Sequence, residues 1–270
     1  LCSRWMIRSV QGAWFRNALA AGVFTACAAM TKGPVGYGLV MLSTEVAWIA
    51  LRKSYALPWR QIMVGTVVTV FLGSLWFVVD YIQNGPSFVV QNLEYQWRLL
   101  TTGEAGHEQP FWYHPVVVMV GCFPASILMF GGMRTVGDEA VPARDMRIAM
   151  IVLFSVVLVV FSIVKTKIIH YSSMTYLPLT YLSALYLERW LSGRVAWRWL
   201  TTTLLLVLGA IWSALTFVVL WAFMNKDWLL SLPTFKDQFL RSALQRDVSW
   251  IGFEPYLGFI LICGVVASIL

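Results

Sequence analysis

Ile148-Ala-Met-Ile-Val-Leu-Phe-Ser-Val-Val-Leu-Val-Val-Phe-Ser-Ile-Val164-Lys165-Thr-Lys167-Ile-Ile-His170-Tyr171 is the stretch that decides the fold class. An uncharged apolar run leads into two lysines, and a second apolar run, Tyr171 to Leu187, starts almost at once. Each run approaches the roughly 20 residues that a helix needs to cross the hydrocarbon of a bilayer. An ammonium at the edge of hydrocarbon is costly unless it is paired or reaches water. Lys165 and Lys167 therefore point to an anion, with snorkelling to lipid headgroups as the plain alternative. Lys32, in Thr31-Lys32-Gly33-Pro34, is wedged between apolar runs in the same way.

The pattern extends outward over the whole chain. Of 270 residues, 59% are hydrophobic and 12% charged, and the mean hydropathy is +0.71. Those values exclude a water-soluble globular domain. They predict an all-α polytopic integral membrane protein, in which each helix satisfies its own backbone groups as the bilayer demands. About eight crossings are expected, near 16–31, 35–51, 61–82, 113–133, 148–164, 171–187, 199–223 and 250–270, within one transmembrane domain over 1–270. The net charge of +7 comes from basic residues that punctuate these segments, so it marks topology and not a nucleic-acid surface. Cys2, Cys27, Cys122 and Cys263 show no paired spacing and read as small buried hydrophobes. With no initiating Met, and with an end inside the apolar Ala267-Ser-Ile-Leu270, the chain is expected to be an internal piece of a longer protein.

Alternating the loops gives the sidedness. One side collects Arg4, Arg8, Arg16, Arg52, Lys53, Arg60, Arg134, Arg144, Arg147, Arg189, Arg194 and Arg198. The other collects Lys32, Arg98, Lys165, Lys167, Lys226, Lys236, Arg241 and Arg246. The first set is the richer and would be cytoplasmic. Lys32, the 83–112 loop and Lys165/Lys167 then share the extracytoplasmic face.

That long loop carries its own pattern. Val89, Leu93, Trp97 and Leu100 recur at helical spacing, and Glu94 and Arg98, four apart, can pair. Such an amphipathic helix either lies in the membrane interface or caps the bundle. Trp76, Trp112, Tyr113, Trp228 and Trp250 fall near the expected interfaces and read mostly as an aromatic belt.

The chemistry-bearing residues cluster on the lysine side. Lys32, Lys165 and Lys167 suit a phosphate or pyrophosphate at the membrane surface, with Arg98 adding a bidentate contact. His107, between Glu104 and Glu108, either ligates a divalent metal ion or donates to a phosphate. His170, beside Tyr171, is an interfacial anchor or a ligand. Asp80 closes the third crossing as a general base or, more in keeping with its place, as a salt-bridge partner for one of the lysines. Glu45, with Arg52 two turns on, reads as helix packing.

Three of these stretches, in order over residues 30–190, resemble the membrane glycosyltransferases that use polyprenyl-phosphate sugars, the protein O-mannosyltransferase and aminoarabinose transferase group. They are Thr31-Lys32-Gly33-Pro34; Arg98 followed by His107-Glu-Gln-Pro110-Phe111-Trp112-Tyr113 and Pro124; and Phe161-Ser162-Ile-Val-Lys165-Thr-Lys167-Ile-Ile-His170-Tyr171, with Pro178 beyond. The resemblance implies a GT-C-like helix bundle in a bacterial cytoplasmic membrane, with a site facing the periplasm or exterior. It implies that Lys32, Arg98, Lys165 and Lys167 hold the carrier phosphate, with His107 near the phosphate or a bound divalent metal ion. Membrane lipids and a polyprenyl-phosphate-linked sugar are the implied partners, with a lipid, glycan or protein as acceptor. In that family an acidic catalytic motif follows the first crossing. This chain has Thr-Lys-Gly-Pro there, so the base is expected upstream of Leu1. The competing expectation is a transporter or flippase for an anionic or lipid-linked substrate, whose sign would be broken helices and internal symmetry.

Overall fold

The computed structural model describes residues 13–51, 59–101, 109–137, 139–231, 242, 244 and 248–267, and no strand occurs among them. The chain divides into two compact units, Leu1–Val195 and Ala196–Leu270.

The first unit begins with α1 (Trp14–Lys32), α2 (Pro34–Leu51) and α3 (Trp59–Asn84). α1 packs against both α2 and α3. Gly33 separates α1 from α2 with φ 67 and ψ −161, a region essentially reserved for glycine. The break therefore falls where the sequence places Gly-Pro. α3 is followed by Gly85, at φ 76, and Pro86, which turn the chain into α4 (Ser87–Thr101).

Next come α5 (Tyr113–Gly121), α6 (Ala125–Gly132) and α7 (Val141–Ile163). A 3-10 turn (Ile169–Thr175) leads into α8 (Tyr176–Leu191). α7 is the central pillar. On one side Leu153, Val157 and Phe161 meet Leu39 of α2. On the other, Met150 and Phe154 join Val118, Met129, Leu179 and Leu182 of α5, α6 and α8. α6 and α8 pack without clearance: a Cβ on Gly132 would run into the backbone of Leu182.

The second unit pairs α9 (Trp199–Met224) with α11 (Leu257–Ala267), with the short α10 (Lys226–Ser231) between them in sequence. Ser213 Oγ donates to the Gly258 carbonyl, and Phe217 meets Tyr256 and Phe259 edge-on at 6.3 and 5.8 Å.

By length and composition α3, α7 and α9 can each cross a membrane, and the α5–α6 pair makes a fourth span if its two bent halves count as one. Eight crossings were expected; among the described residues three helices, or four with the bent pair, have the length and hydropathy to cross. Two differences are specific. The 113–133 segment is not one straight helix, because it bends by 101° between α5 and α6, where Pro124 has no N–H to continue the ladder. The 171–187 segment opens as a 3-10 turn, which leaves a 16-residue α8. Met63, Val67, Val70 and Phe71 on α3 are each at least 60% exposed. An apolar face of that extent suits hydrocarbon and not water. The apolar helices together fit a multi-pass membrane protein.

Candidate functional site

A cavity of about 430 Å³ lies among α1, α3, α4 and α7. Its cation is Lys32, in the last turn of α1. Val35 of α2, Trp76 and Phe77 of α3, Val160 and Phe161 of α7, and Val164 just past its end supply apolar wall. Tyr171, from the 3-10 turn, meets the Phe161 ring at a tilt, 5.4 Å between centroids, and completes that side. α4 closes the cavity with Phe88, Asn92, Tyr95 and Gln96.

Local folding places Lys32. α1 ends at Gly33, and the Lys32 ammonium donates to the His170 carbonyl at 3.3 Å, which leaves further N–H protons for a ligand. The same bond joins the Thr31-Lys-Gly-Pro stretch to the Lys-Thr-Lys stretch, 138 residues apart in sequence. The two lysine segments, set far apart in the chain, therefore meet at one end of the helix bundle.

The other expected site residues are placed differently. Lys165 is exposed, and Lys167 is buried, donating to the Val164 carbonyl at 2.8 Å just past the end of α7. Neither lines the cavity. His170 lends its backbone to Lys32 while its ring meets the Tyr171 ring edge-on at 5.1 Å. Arg98, exposed on α4, holds its guanidinium over the Tyr95 ring at 5.9 Å, so it touches a wall residue and is not itself one. Asp80 accepts from Asn84 Nδ2 at 2.8 Å and pairs with no lysine among the described residues. Asn84 stands one turn further along the same helix. His107, with Glu104 and Glu108, lies outside the described residues. Among the described residues no three His, Cys, Asp or Glu side chains converge as a metal site.

Four residues placed in the cavity wall or in the buried interior escaped the sequence reading. Asn92 and Gln96 line the cavity, and their signal was available, since Phe88, Asn92, Tyr95 and Gln96 form a second stripe of helical spacing beside the apolar one. His114 is fully buried on α5, with ring contacts to Tyr113 and Phe161 at 5.2 and 6.0 Å. Neither of its nitrogens has a hydrogen-bond partner among the described residues. Glu139 binds two buried arginines at the far end of α7, as Arg147 Nη2 reaches it at 2.8 Å and Arg189 Nη2 closes on its other oxygen. Arg147 and Arg189, counted from sequence as topology signals, are thus inside the protein.

Chemically, the cavity joins one ammonium to an aromatic and aliphatic wall, with two neutral amides opposite. Such a site takes an anion attached to an apolar body. Comparison with family models, with curated proteins and with solved structures gives no match for this chain.

Proposed function

We propose that the chain is the donor-binding part of a membrane glycosyltransferase that uses a polyprenyl-phosphate sugar, built as a GT-C-like bundle of about eight crossings. The observation that carries the proposal is the cavity: Lys32 for the phosphate, beside Trp76, Phe77, Phe88 and Phe161 for an isoprenoid tail. Trp76 is 59% exposed on α3, a helix apolar enough to span, so the tail reaches the site from the bilayer. In a bacterial cytoplasmic membrane the cavity faces the exterior, because the opposite end of α7 lies among the arginine-rich segments.

The reaction is a displacement at the sugar's anomeric carbon. An oxygen of the acceptor, a lipid, glycan or protein, forms a bond to that carbon. The carbon–oxygen bond to the phosphate breaks with its electron pair on the phosphate, and the acceptor's proton passes to a base. Among the described residues Lys32 is paired with a neutral carbonyl and with no carboxylate, so its charge offsets the charge that develops on the departing polyprenyl phosphate. Lys165 and Arg98, both exposed nearby in the chain's two lysine-side segments, raise the local concentration of anionic lipid. A divalent metal would act, if bound, as a further counter-charge at His107.

The experiment is turnover of a labelled polyprenyl-phosphate sugar in nanodiscs by the full chain and by Lys32→Met. A charge-assisted hydrogen bond contributes roughly 1.5–3 kcal/mol, so release of polyprenyl phosphate should slow by about 10- to 100-fold. Unchanged release by Lys32→Met would remove the proposal. The 101° bend between α5 and α6 favours a second reading, a transporter or flippase. Movement of the intact lipid-linked sugar across proteoliposomes, with no product formed, would establish that one instead.

A further inference from the structure

The amphipathic helix α4 is turned in an unexpected sense. Leu93 and Trp97, on its apolar stripe, are 57% and 67% exposed, while the neutral polar pair Asn92 and Gln96 is half-buried and lines the cavity. A helix that merely anchored the chain at the interface would send its polar side chains to water. Here the side that carries the amides closes over the site. Neither amide makes a side-chain hydrogen bond among the described residues, so each keeps two donors and an acceptor oxygen to offer.

Their position ties them to Lys32. The Gln96 amide lies against Gly33, the residue after Lys32, so closely that a Cβ there would sit 3.4 Å from Nε2. Asn92 stands four residues back, about 6 Å along the axis, comparable to the spread of hydroxyls around a sugar ring. Tyr95 and Phe88 lie on the same wall and add aromatic surface beside the amides. An ammonium suits the phosphate; neutral amides, each both donor and acceptor, suit hydroxyl groups, which are also both.

We infer that Asn92 and Gln96 read the hydroxyl-bearing head of the ligand, so that the cavity selects a lipid phosphate esterified to a sugar over the bare lipid phosphate. The inference rests on the donor-site reading above and adds the group that discriminates loaded carrier from spent carrier. Discrimination of that kind matters after the reaction: the product that must leave is the bare polyprenyl phosphate, which still meets Lys32 but no longer spans the two amides.

The test is equilibrium binding to the full chain in nanodiscs, with polyprenyl phosphate and its mannosyl, glucosyl and arabinosyl esters as probes. The wild-type chain should bind at least one ester about tenfold more tightly than the bare lipid, the scale of one or two hydrogen bonds. In the double variant Asn92→Leu/Gln96→Met that preference should vanish while the bare lipid binds as before, which also reports a folded site. The milder Gln96→Met alone should lower ester affinity several-fold and leave the bare lipid unaffected. Equal affinity of the wild type for all four probes, or a preference that survives the double variant, overturns the inference, as does an equal loss on ester and bare lipid in Gln96→Met. Failure of the donor-site reading looks different: Lys32→Met would then bind the bare lipid as tightly as wild type.

Discussion

Exchange of Glu139 for Gln is the sharpest perturbation of the fold. The Glu139 side chain is 6% exposed, and those of Arg147 and Arg189 are 5% and 2% exposed. Arg147 reaches the carboxylate through Nε at 3.1 Å and Nη2 at 2.8 Å. Its Nη1 donates to the Met133 carbonyl at 2.9 Å. Arg189 Nη1 donates to the Arg134 carbonyl at 2.8 Å while its Nη2 holds Oε1 of the same carboxylate. The single carboxylate therefore joins α7, α8 and the segment after α6. Glu139→Gln keeps the volume, removes the charge and turns an amide N–H toward guanidinium donors. Breaking a buried pair by removing one partner costs about 3–5 kcal/mol, because the charge left behind is uncompensated. Here two guanidinium groups are left.

The assay is unfolding in detergent micelles, followed by tryptophan fluorescence, for which the chain has 14 Trp. A loss of about 3 kcal/mol or more is expected. The triple exchange Glu139→Met/Arg147→Met/Arg189→Met should recover most of that loss, since an apolar replacement of a whole buried ion cluster is often neutral or stabilising by about 1–4 kcal/mol. A loss below about 1 kcal/mol in Glu139→Gln, the range of exposed ion pairs, would refute the reasoning. It would mean that the guanidinium groups meet water or a lipid phosphate in place of Glu139.

The two lysines of the Lys-Thr-Lys stretch should separate in a stability measurement. Lys167→Met loses a buried bond to the Val164 carbonyl and should cost roughly 1–3 kcal/mol, whereas exposed Lys165→Ala should stay within about 0.5 kcal/mol; equal effects in the same fluorescence assay would contradict the placement. Gly132→Ala drives a methyl into the Leu182 backbone and should cost about 1–3 kcal/mol, read as a lowered unfolding midpoint, and an unchanged midpoint would contradict the close α6–α8 packing. Lys32→Cys and Lys165→Cys, each in a cysteine-free background, should react with an impermeant maleimide from the same side of sealed vesicles, because the Lys32–His170 bond holds the two segments together; labelling from opposite compartments would refute it. His114→Phe, at a position already surrounded by Tyr113 and Phe161 rings, should be neutral or stabilising by about 1 kcal/mol, since it removes two buried unpaired nitrogens. A large loss of stability there would show that the imidazole is paired in the folded protein.

Much of the fold was legible because membrane segments announce themselves by local composition. The helices α1, α2, α3 and α9 begin and end within a few residues of the expected apolar runs, and α7 ends where its run does but starts earlier, at Val141. Gly33-Pro34 marks a break that its backbone angles require. What local composition does not carry is tertiary pairing. Arg147 and Arg189 look from sequence like any loop arginine near a crossing, and only the return of the chain at Glu139 turns them inward. Lys167 and Lys165 are two residues apart, and nothing in the sequence says that one folds back on the end of α7 while the other stays in solvent. Phe88, Asn92, Tyr95 and Gln96 were hidden for a related reason: in a helix with two stripes, hydropathy draws attention to the apolar one, while the cavity uses the other.

The two ends of α7 now explain each other. Its 23 residues make a rod of roughly 34 Å, close to the hydrocarbon thickness of a bilayer. At one end, Glu139 fixes two arginines so that α7, α8 and the segment after α6 are locked in register. At the other, Phe161 and Val164 enter the cavity wall and the 3-10 turn offers the His170 carbonyl to Lys32. The position of the cation in the cavity is therefore set by α1 and by the far end of a helix whose near end is clamped. It follows that Glu139→Gln, although a bilayer's thickness away, should loosen the site along with the fold. A chain that lost 3 kcal/mol of stability yet bound polyprenyl phosphate with wild-type affinity at temperatures well below its midpoint would show that α1, with Gly33, positions Lys32 without help from α7.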